Sequence, residues 1–327
     1  MTPRENLLRA LPDVANEPNP HQAGLRKVGA LDWVGMDGID LPIMLTDRDG
    51  VTTRSAARVS AAVDLERSEV RGIHMSRLYL LLDQHLSSEA LTPCLLRRVL
   101  RDFLDSHADL STHASVRIAF DQLLRRPALR SDNSGWKSYP IAISARLDGN
   151  DFQLELQCRV VYSSTCPASA ALARQAIQDA FAKRFARADT LNFDDVSAWL
   201  GSEQGIVATP HGQRSAADVR VRLTAGFEFP IVDLIDLIED AVQTPVQTAV
   251  KRDDEQAFAV LNAQNLMFCE DAARRIQRAL DGDERFADFW LRATHYESLH
   301  AHNAVAIASK GIGGGYGADE TLLLLGE

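Results

Sequence analysis

The sequence is poor in cysteine and has no long apolar run, and each shortage excludes a class of protein. Its 327 residues include four cysteines, too few and too scattered for a disulfide framework, so we expect a protein of the reducing cytoplasm. No apolar run approaches the roughly 20 residues of a membrane span. The segment Met1–Asn6 also lacks the apolar core of a signal peptide. We therefore expect no membrane partner.

Positive charge is also scarce. Acidic residues outnumber basic ones by 45 to 35, which gives a formal net charge of −10 at pH 7. Such a chain lacks the basic face that supplies most of the affinity for nucleic acid, so we expect no nucleic-acid partner. A local basic pocket for a phosphorylated small molecule is still allowed.

The apolar patterns alternate between strand and helix periods without the rhythm of strand-helix-strand units. Strand patterns occupy residues 28–44 (as short pieces), 59–69, 115–124, 138–147, 152–163, 219–223 and 285–294. Helical patterns occupy residues 87–107, 170–188, 194–200, 231–242, 254–261, 269–280 and, weakly, 298–309. Antiparallel hairpins interleaved with helix pairs predict an α+β protein. A loose N-terminal arm is predicted over residues 1–27 and a tail over 311–327.

A cysteine followed by proline ends one of the strand patterns, in Thr165-Cys166-Pro167-Ala168-Ser169. Proline restricts the residue before it to extended geometry, which presents the sulfur as a metal ligand or as a nucleophile. Together with His211 and Glu255, Cys166 would supply thiolate, imidazole and carboxylate, a donor set that suits catalytic zinc. Spacing alone does not favour this set, because a lone cysteine is more often a small core residue and a loop histidine is usually solvated.

Two other stretches carry acidic and imidazole side chains. Glu270 lies in the first turn of a predicted helix, where a carboxylate stabilises the helix dipole as readily as it serves catalysis. The segment 295–303 holds three histidines around Glu297. Alternation after a strand would put Glu297 and His300 at the edge of a cleft, and a solvated strand-to-helix junction is the alternative.

Six short motifs follow one another in a fixed order between about residues 72 and 304. They are His74-Met75-Ser76-Arg77 after Gly-Ile, Thr-Cys-Pro-x-Ser, His-x-Gln-Arg-Ser, Lys-Arg-x-Asp-Glu, Phe-x-Glu-Asp, and Glu-Ser-Leu-His-x-His-Asn-Ala. The ordered set resembles the type IB GTP cyclohydrolases, the metal-dependent prokaryotic alternative to the common type I enzyme.

The resemblance implies a tunnelling fold, in which antiparallel sheet and helix pairs form two similar modules per subunit. Sheets from several subunits then close into a barrel, so a homotetramer is expected. On this basis residues 28–310 form a bimodular catalytic domain with a helical insertion at about 170–205.

The resemblance also implies roles for individual residues. It makes Cys166, His211 and Glu255 the ligands of a divalent metal, Zn²⁺ or Mn²⁺ with Fe²⁺ also possible. It makes Glu270 the catalytic acid/base, and it makes Glu297 the anchor of the guanine edge with His300 beside it. The remaining substrate-binding candidates are His74, Arg77, Arg214 and Lys251, and Arg252 is a further cation near the triphosphate.

The implied reaction opens the guanine imidazole ring of GTP, releases formate and gives 7,8-dihydroneopterin triphosphate, the first step of folate and pterin synthesis. A tunnelling-fold pterin or purine enzyme of different reaction is one alternative, and a non-catalytic paralogue that binds nucleotide or metal is another. The intact Glu270 favours an enzyme over a binding protein. A purely structural metal protein would need four protein ligands.

Two features depart from the family pattern. Family members commonly have a second cysteine where this chain has Ala168, which leaves one thiolate in the expected ligand set. About 45 residues separate Cys166 from His211, more than in shorter members. We expect the intervening segment to be a packed helical insertion at the rim that leaves the two ligands adjacent in space.

Overall fold

The computed structural model describes residues 29–68 and 70–317. The predicted N-terminal arm and the last ten residues of the predicted tail therefore lie outside the described residues. The strands are β1 (Leu31–Thr46), β2 (Thr52–Leu65), β3 (His113–Pro127), β4 (Ser134–Asp148), β5 (Asp151–Thr165), β6 (Gly212–Leu223), β7 (Phe286–His295) and β8 (Ala304–Ser309). The helices are α1 (Met75–Leu86), α2 (Pro93–Ser106), α3 (Pro167–Arg184), α4 (Phe193–Leu200), α5 (Ile231–Val242), α6 (Arg252–Gln264) and α7 (Cys269–Asp281).

The predicted α+β class is confirmed. The eight strands are hydrogen-bonded in chain order, from β1 to β8. The ladders are antiparallel, as in the pairs β1–β2 and β6–β7. Before β5 the order is two strands, two helices and two strands. The same order recurs from β5 to β8, with α3 and α4 inserted between β5 and β6. Three helices, α5 to α7, lie between β6 and β7 where the first half has two. This order agrees with the two similar modules of the expected tunnelling fold. None of the helices in the described ranges is long and apolar enough to cross a membrane.

Three local predictions were wrong. Where short pieces were expected over residues 28–44, the described part of the chain forms one long strand, β1. Gly38 adopts a φ of 71° within the register shift between Met36 and Ile39, and the strand continues beyond it. The helix expected to begin at Ser87 begins at Pro93, where the Thr92 hydroxyl accepts from the Leu95 N–H at 3.1 Å. Residues 304–309 form β8 instead of a weak helix, since their main chain pairs with β7.

The described residues form two compact units. The first comprises residues up to Asp121 together with Pro140–Leu156 and Ala225–Phe229. Its core consists of the inward residues of β2 and β3 with the apolar faces of α1 and α2. α2 contributes five buried side chains, Leu95, Leu96, Val99, Leu100 and Phe103. Their spacing of three and four residues gives one apolar stripe, which is what the sequence pattern predicted.

The second unit comprises Gln122–Tyr139, Gln157–Thr224 and the chain from Pro230 onward. Its core joins the buried faces of α5 and α7 to the fully buried positions of β6 and β7. α5 spans the predicted residues, because Pro230 precedes its first turn and Gln243 ends it in the left-handed conformation at φ 64°.

A nearly buried ionic network fastens α5 within the second unit. The Glu239 carboxylate accepts from the Lys137 ammonium at 2.7 Å and from the Tyr139 hydroxyl at 2.6 Å. The Arg126 guanidinium lies 2.7 Å from Asp236 and donates to the Tyr139 oxygen at 2.9 Å. Burial lowers the pKa of Lys137, although its contact with Glu239 acts in the opposite direction. The lysine therefore depends on Glu239 to remain charged in this position.

Replacing Glu239 by alanine should destabilise the protein strongly. It would leave the Lys137 ammonium buried without its carboxylate, a change that typically costs about 3–5 kcal/mol. For a chain of this size we expect a melting temperature lower by roughly 5 °C, measured by circular dichroism. Asp236→Ala, at the more exposed edge of the network, should cost less, and the double variant Lys137→Met/Glu239→Leu should recover much of the loss. Equal melting temperatures for Glu239→Ala and the wild type would contradict this account.

Candidate active site

Cys166 lies at the junction of β5 and α3, where it is the N-cap residue of the helix. Its backbone is extended, with φ −67° and ψ 123°, and Pro167 occupies the first helical position. The sulfur accepts from the Ser169 N–H at 3.5 Å, and the side chain is partly exposed. The cysteine-proline pair thus acts locally as predicted, since it ends the strand and presents the sulfur at the start of a helix. The exposed Ala168 follows in the first turn of α3.

Main-chain hydrogen bonds bring His211 to Cys166 in spite of the long segment between them. The Cys166 N–H donates to the His211 carbonyl at 3.2 Å, and the His211 N–H donates to the Ser169 hydroxyl at 3.1 Å. Gly212 packs closely here, because a Cβ atom on it would lie 3.4 Å from the Thr165 hydroxyl oxygen. Two of the three predicted metal ligands are therefore neighbours, as the expected helical insertion requires.

Glu297 lies beside His211. Its carboxylate oxygen is 3.5 Å from His211 Nε2, and the two side chains are only 14% and 20% exposed. The position follows from the pairing of β6 with β7, in which Ser215 faces His295, and from a 3.2 Å hydrogen bond of the Tyr296 N–H to the Arg214 carbonyl. The predicted guanine anchor and a predicted metal ligand thus share one location.

Glu270 reaches the same region from the first turn of α7. The Met267 N–H donates to the Thr165 carbonyl at 3.2 Å, which fixes the start of this helix beside the residue before Cys166. The adjacent Cys269 is buried, and its thiol donates to the Ala293 carbonyl at 3.2 Å. Burial, and then the charges of Glu270 and Glu297, raise the pKa of Cys269 to about 11, so this thiol stays protonated at neutral pH. Glu270 itself is exposed.

Glu255 is not joined to the other two predicted ligands. It is exposed in the first turn of α6, and among the described residues no hydrogen bond or ion pair links it to Cys166 or His211. The neighbouring Asp254 instead fixes the helix, because it accepts from the Ser131 hydroxyl at 2.6 Å and from the N–H groups of Arg130, Ser131 and Lys251. These bonds hold the pKa of Asp254 well below its usual range, and the bond from the Ser131 hydroxyl has the largest effect.

The remaining predicted substrate residues fall into two groups. In the second unit, Arg214 and Lys251 are exposed, as is the further cation Arg252, and the His300 ring stacks on His302 with centroids 5.0 Å apart on an exposed segment. His74 and Arg77 belong to the first unit. There His74 precedes α1, and the Arg77 guanidinium donates to the Ser106 carbonyl at 2.6 Å.

A buried polar network that the sequence did not predict lies behind these residues. His295 contacts the Ser164 hydroxyl through Nδ1 at 3.2 Å and the Tyr162 hydroxyl through Nε2 at 3.1 Å. The Ser164 and Ser215 hydroxyls are 2.8 Å apart. In the sequence, His295 was one of three clustered histidines. Polar residues at apolar strand positions, such as Ser164 and Ser215, were the available signal.

The donors present suit a divalent metal in two places. Cys166 and His211 offer thiolate and imidazole, the soft and intermediate ligands that zinc prefers. In the first unit, Asp64, Glu66 and His113 have ligand atoms within 4.8 Å of one another, the one group of at least three that meets this limit among the described residues. The second group is already internally bonded, because Asp64 accepts from the Thr112 and His113 N–H groups and His113 Nε2 lies 3.1 Å from Asp148.

Comparison with known proteins gives consistent matches. The family model described as type I GTP cyclohydrolase FolE2 matches residues 11–306. GTP cyclohydrolase FolE2 of Pseudoalteromonas translucida is 48% identical over 94% of this chain and 100% of its own length. The protein of the same name from Bdellovibrio bacteriovorus is 50% identical over 93% of this chain and 97% of its own.

Among solved structures, uricase from Arthrobacter globiformis resembles the chain with a TM-score of 0.49 and 10% identity, covering 89% of this chain and 96% of that one. The family match and the two relatives cover nearly the whole sequence, including every motif around Cys166, His211, Glu270 and Glu297. The chain belongs to the type I GTP cyclohydrolase FolE2 family.

Proposed function

We propose that this protein is a metal-dependent GTP cyclohydrolase of folate and pterin synthesis. It adds water to GTP, opens the imidazole ring of guanine, releases C8 as formate and closes the product to 7,8-dihydroneopterin triphosphate. The observation that carries the proposal is the family match over residues 11–306. The meeting of Cys166, His211 and Glu297 near the end of β5 supports it, because the reaction needs metal ligands and a purine anchor in one place.

Cys166, His211 and Glu255 would hold the metal, and zinc or manganese suits this donor set, with ferrous iron also possible. A bound divalent ion supplies Lewis acidity and lowers the pKa of a coordinated water towards neutrality. The main-chain hydrogen bond between Cys166 and His211 supports this assignment, because it places two of the three proposed ligands next to each other. Three protein ligands leave a fourth position open, so the loss of a second thiol at Ala168 is compatible with catalysis.

Glu297 would select guanine. A carboxylate accepts two parallel hydrogen bonds from the N1 and N2 donors of guanine, and adenine lacks this pair. The small exposure of Glu297 supports the role, since a shielded carboxylate gains more from such contacts than a solvated one. Arg214 and Lys251 are the cations proposed for the remainder of GTP, and their exposure suits a charged triphosphate. His74 and Arg77, in the first unit, stay predictions of the sequence motif.

Glu270 would transfer the protons. Ring opening, loss of formate and ring closure each move protons, so a carboxylate with access to the substrate is required, and His300 is the proposed second group. Glu270 is exposed, and its negative charge acts to raise the pKa of Cys269 and of His295. His295 lies two residues before Glu297 in the sequence. These observations support a location for Glu270 near the bound purine.

We also propose that the protein is cytoplasmic and assembles as a homotetramer. Within residues 29–68 and 70–317, β1 and β8 end the strand order, so each has one neighbouring strand in the sheet. Unpaired edges of this kind favour pairing with another chain. An assembly of several subunits would pair the rest of the outer edge of the 16-residue β1, where the Met44 carbonyl already accepts from the Leu91 N–H.

Removing the thiolate should remove metal and activity together. We expect Cys166→Ala to lower formate release from GTP by at least about 100-fold and to lower the zinc content of the purified protein, measured by plasma mass spectrometry. Cys94→Ala, at an exposed cysteine of α2, is the matched control and should retain both. Full activity of Cys166→Ala would refute the ligand assignment. The absence of pterin fluorescence from the wild type with GTP and added Zn²⁺ or Mn²⁺ would refute the function itself.

Removing the proton-transfer group should leave the metal in place. We expect Glu270→Gln to lower kcat by roughly 10²–10⁴-fold with unchanged metal content, because the amide keeps the shape of the side chain and cannot transfer protons. Asp281→Asn, at the exposed end of the same helix, controls for loss of charge on α7. Steady-state kinetics of pterin formation measures the effect. Similar kcat values for the two variants would exclude Glu270 as the acid/base.

A further inference from the structure

The ends of three neighbouring strands meet at one buried imidazole. His295 is the last residue of β7 and is 2% exposed. It contacts Ser164 near the end of β5, and Ser164 in turn contacts Ser215 near the start of β6. Ser164 and Ser215 are 1% and 0% exposed, so these contacts are shielded from water. Buried hydrogen bonds of this kind are stronger than solvated ones and fix geometry.

Each strand end also carries a residue of the proposed active site. Cys166 follows Ser164 by two residues, and Glu297 follows His295 by two residues. His211 precedes β6 and is bonded to Cys166 through its carbonyl. The imidazole therefore lies between the segments that present the thiolate and the guanine anchor, while His295 itself is buried away from solvent.

The contacts define a directional chain. Burial disfavours the charged imidazole, so one ring nitrogen donates and the other accepts. If the Tyr162 hydroxyl donates to Nε2, then Nδ1–H donates to Ser164 and the Ser164 hydroxyl donates to Ser215; the reverse order satisfies the same four groups. In both orders, loss of the Nδ1 contact leaves the Ser164 hydroxyl bonded to Ser215 and breaks the side-chain link between the ends of β5 and β7.

We propose that His295 is a positioning residue, whose Nδ1 contact with Ser164 fixes the ends of β5 and β7 so that Cys166 and Glu297 face the same substrate. The inference rests on the proposed function and extends it. The Nε2 contact with Tyr162, which lies further back along β5, contributes to stability and not to the alignment of the two site residues.

The contacts of the two ring nitrogens can be tested separately, because the side-chain amides of asparagine and glutamine can each replace one nitrogen. The side-chain amide of asparagine coincides with the Nδ1 position of histidine, and that of glutamine coincides with Nε2. His295→Asn therefore keeps the contact with Ser164, and His295→Gln keeps the contact with Tyr162. The pair Tyr162→Phe and Ser164→Ala removes the same two contacts from the other side.

We expect His295→Gln and Ser164→Ala to lower kcat for pterin formation by about 10–100-fold, as the loss of a residue that orients a ligand typically does. The same variants should bind zinc more weakly in competition with a chromophoric chelator. His295→Asn and Tyr162→Phe should stay within about threefold of the wild type in both measurements. Melting temperatures are measured in parallel for all four variants and the wild type.

If His295 had a purely structural role, the loss of activity in each variant would follow the loss of melting temperature, whichever contact is removed. The proposal is overturned if His295→Asn and His295→Gln lose activity equally, or if the losses follow the melting temperatures. Should either His295 variant fail to fold, Ser164→Ala and Tyr162→Phe decide by the same comparison. A wild type that forms no pterin from GTP would refute the proposed function, whereas an active wild type with unaffected variants refutes this inference alone.

Discussion

The main-chain hydrogen bond from the Cys166 N–H to the His211 carbonyl is the contact on which the proposed site depends most directly, because it joins two residues far apart in sequence. It closes a loop of about 45 residues, and closing a loop of this length costs conformational entropy that grows with the logarithm of its length. The cost is reduced because the loop is itself ordered. α3 and α4 pack through the rings of Phe181, Phe185 and Trp199, whose centroids lie 5.0–5.9 Å apart. The ordered insertion therefore leaves Cys166 and His211 adjacent in space.

Buried polar groups hold this region together, and the proposed site residues lie partly or fully exposed in front of them. Glu239 fastens α5, and the segment after α5 reaches β5 through a 2.6 Å bond from the Thr244 hydroxyl to the Ser163 carbonyl. His295 lies one strand end away, neutral because burial lowers its pKa to about 4 against the opposing charge of Glu270. Glu270 and Arg214, by contrast, are exposed. Rigid buried contacts behind accessible side chains are the arrangement that orients reacting groups.

The sequence predicted most accurately those helices and strands whose apolar pattern and end signals lie within or next to the element itself. α5 was predicted to the residue because its apolar stripe is bounded by Pro230 and Val242. β8 was missed because three of its six residues are alanines, so the alternation with Val305 and Ile307 separates the two faces of the strand only weakly. Its strand conformation comes from pairing with β7, from Trp290 with Ser309 to His295 with Ala304. α1 was missed for a related reason, since no side chain caps its start at His74.

The side chains available for chemistry are visible in short segments: a thiol before a proline, an imidazole, and carboxylates in ordered motifs that identify the family. These are properties of short segments, so no tertiary contact was needed to find them. The pairing of strand ends, by contrast, brings Cys166, His211 and Glu297 together and buries His295 behind them. Distances between residues far apart in sequence are set by strand register and by hydrogen bonds between strand ends, and neither is encoded in any one segment.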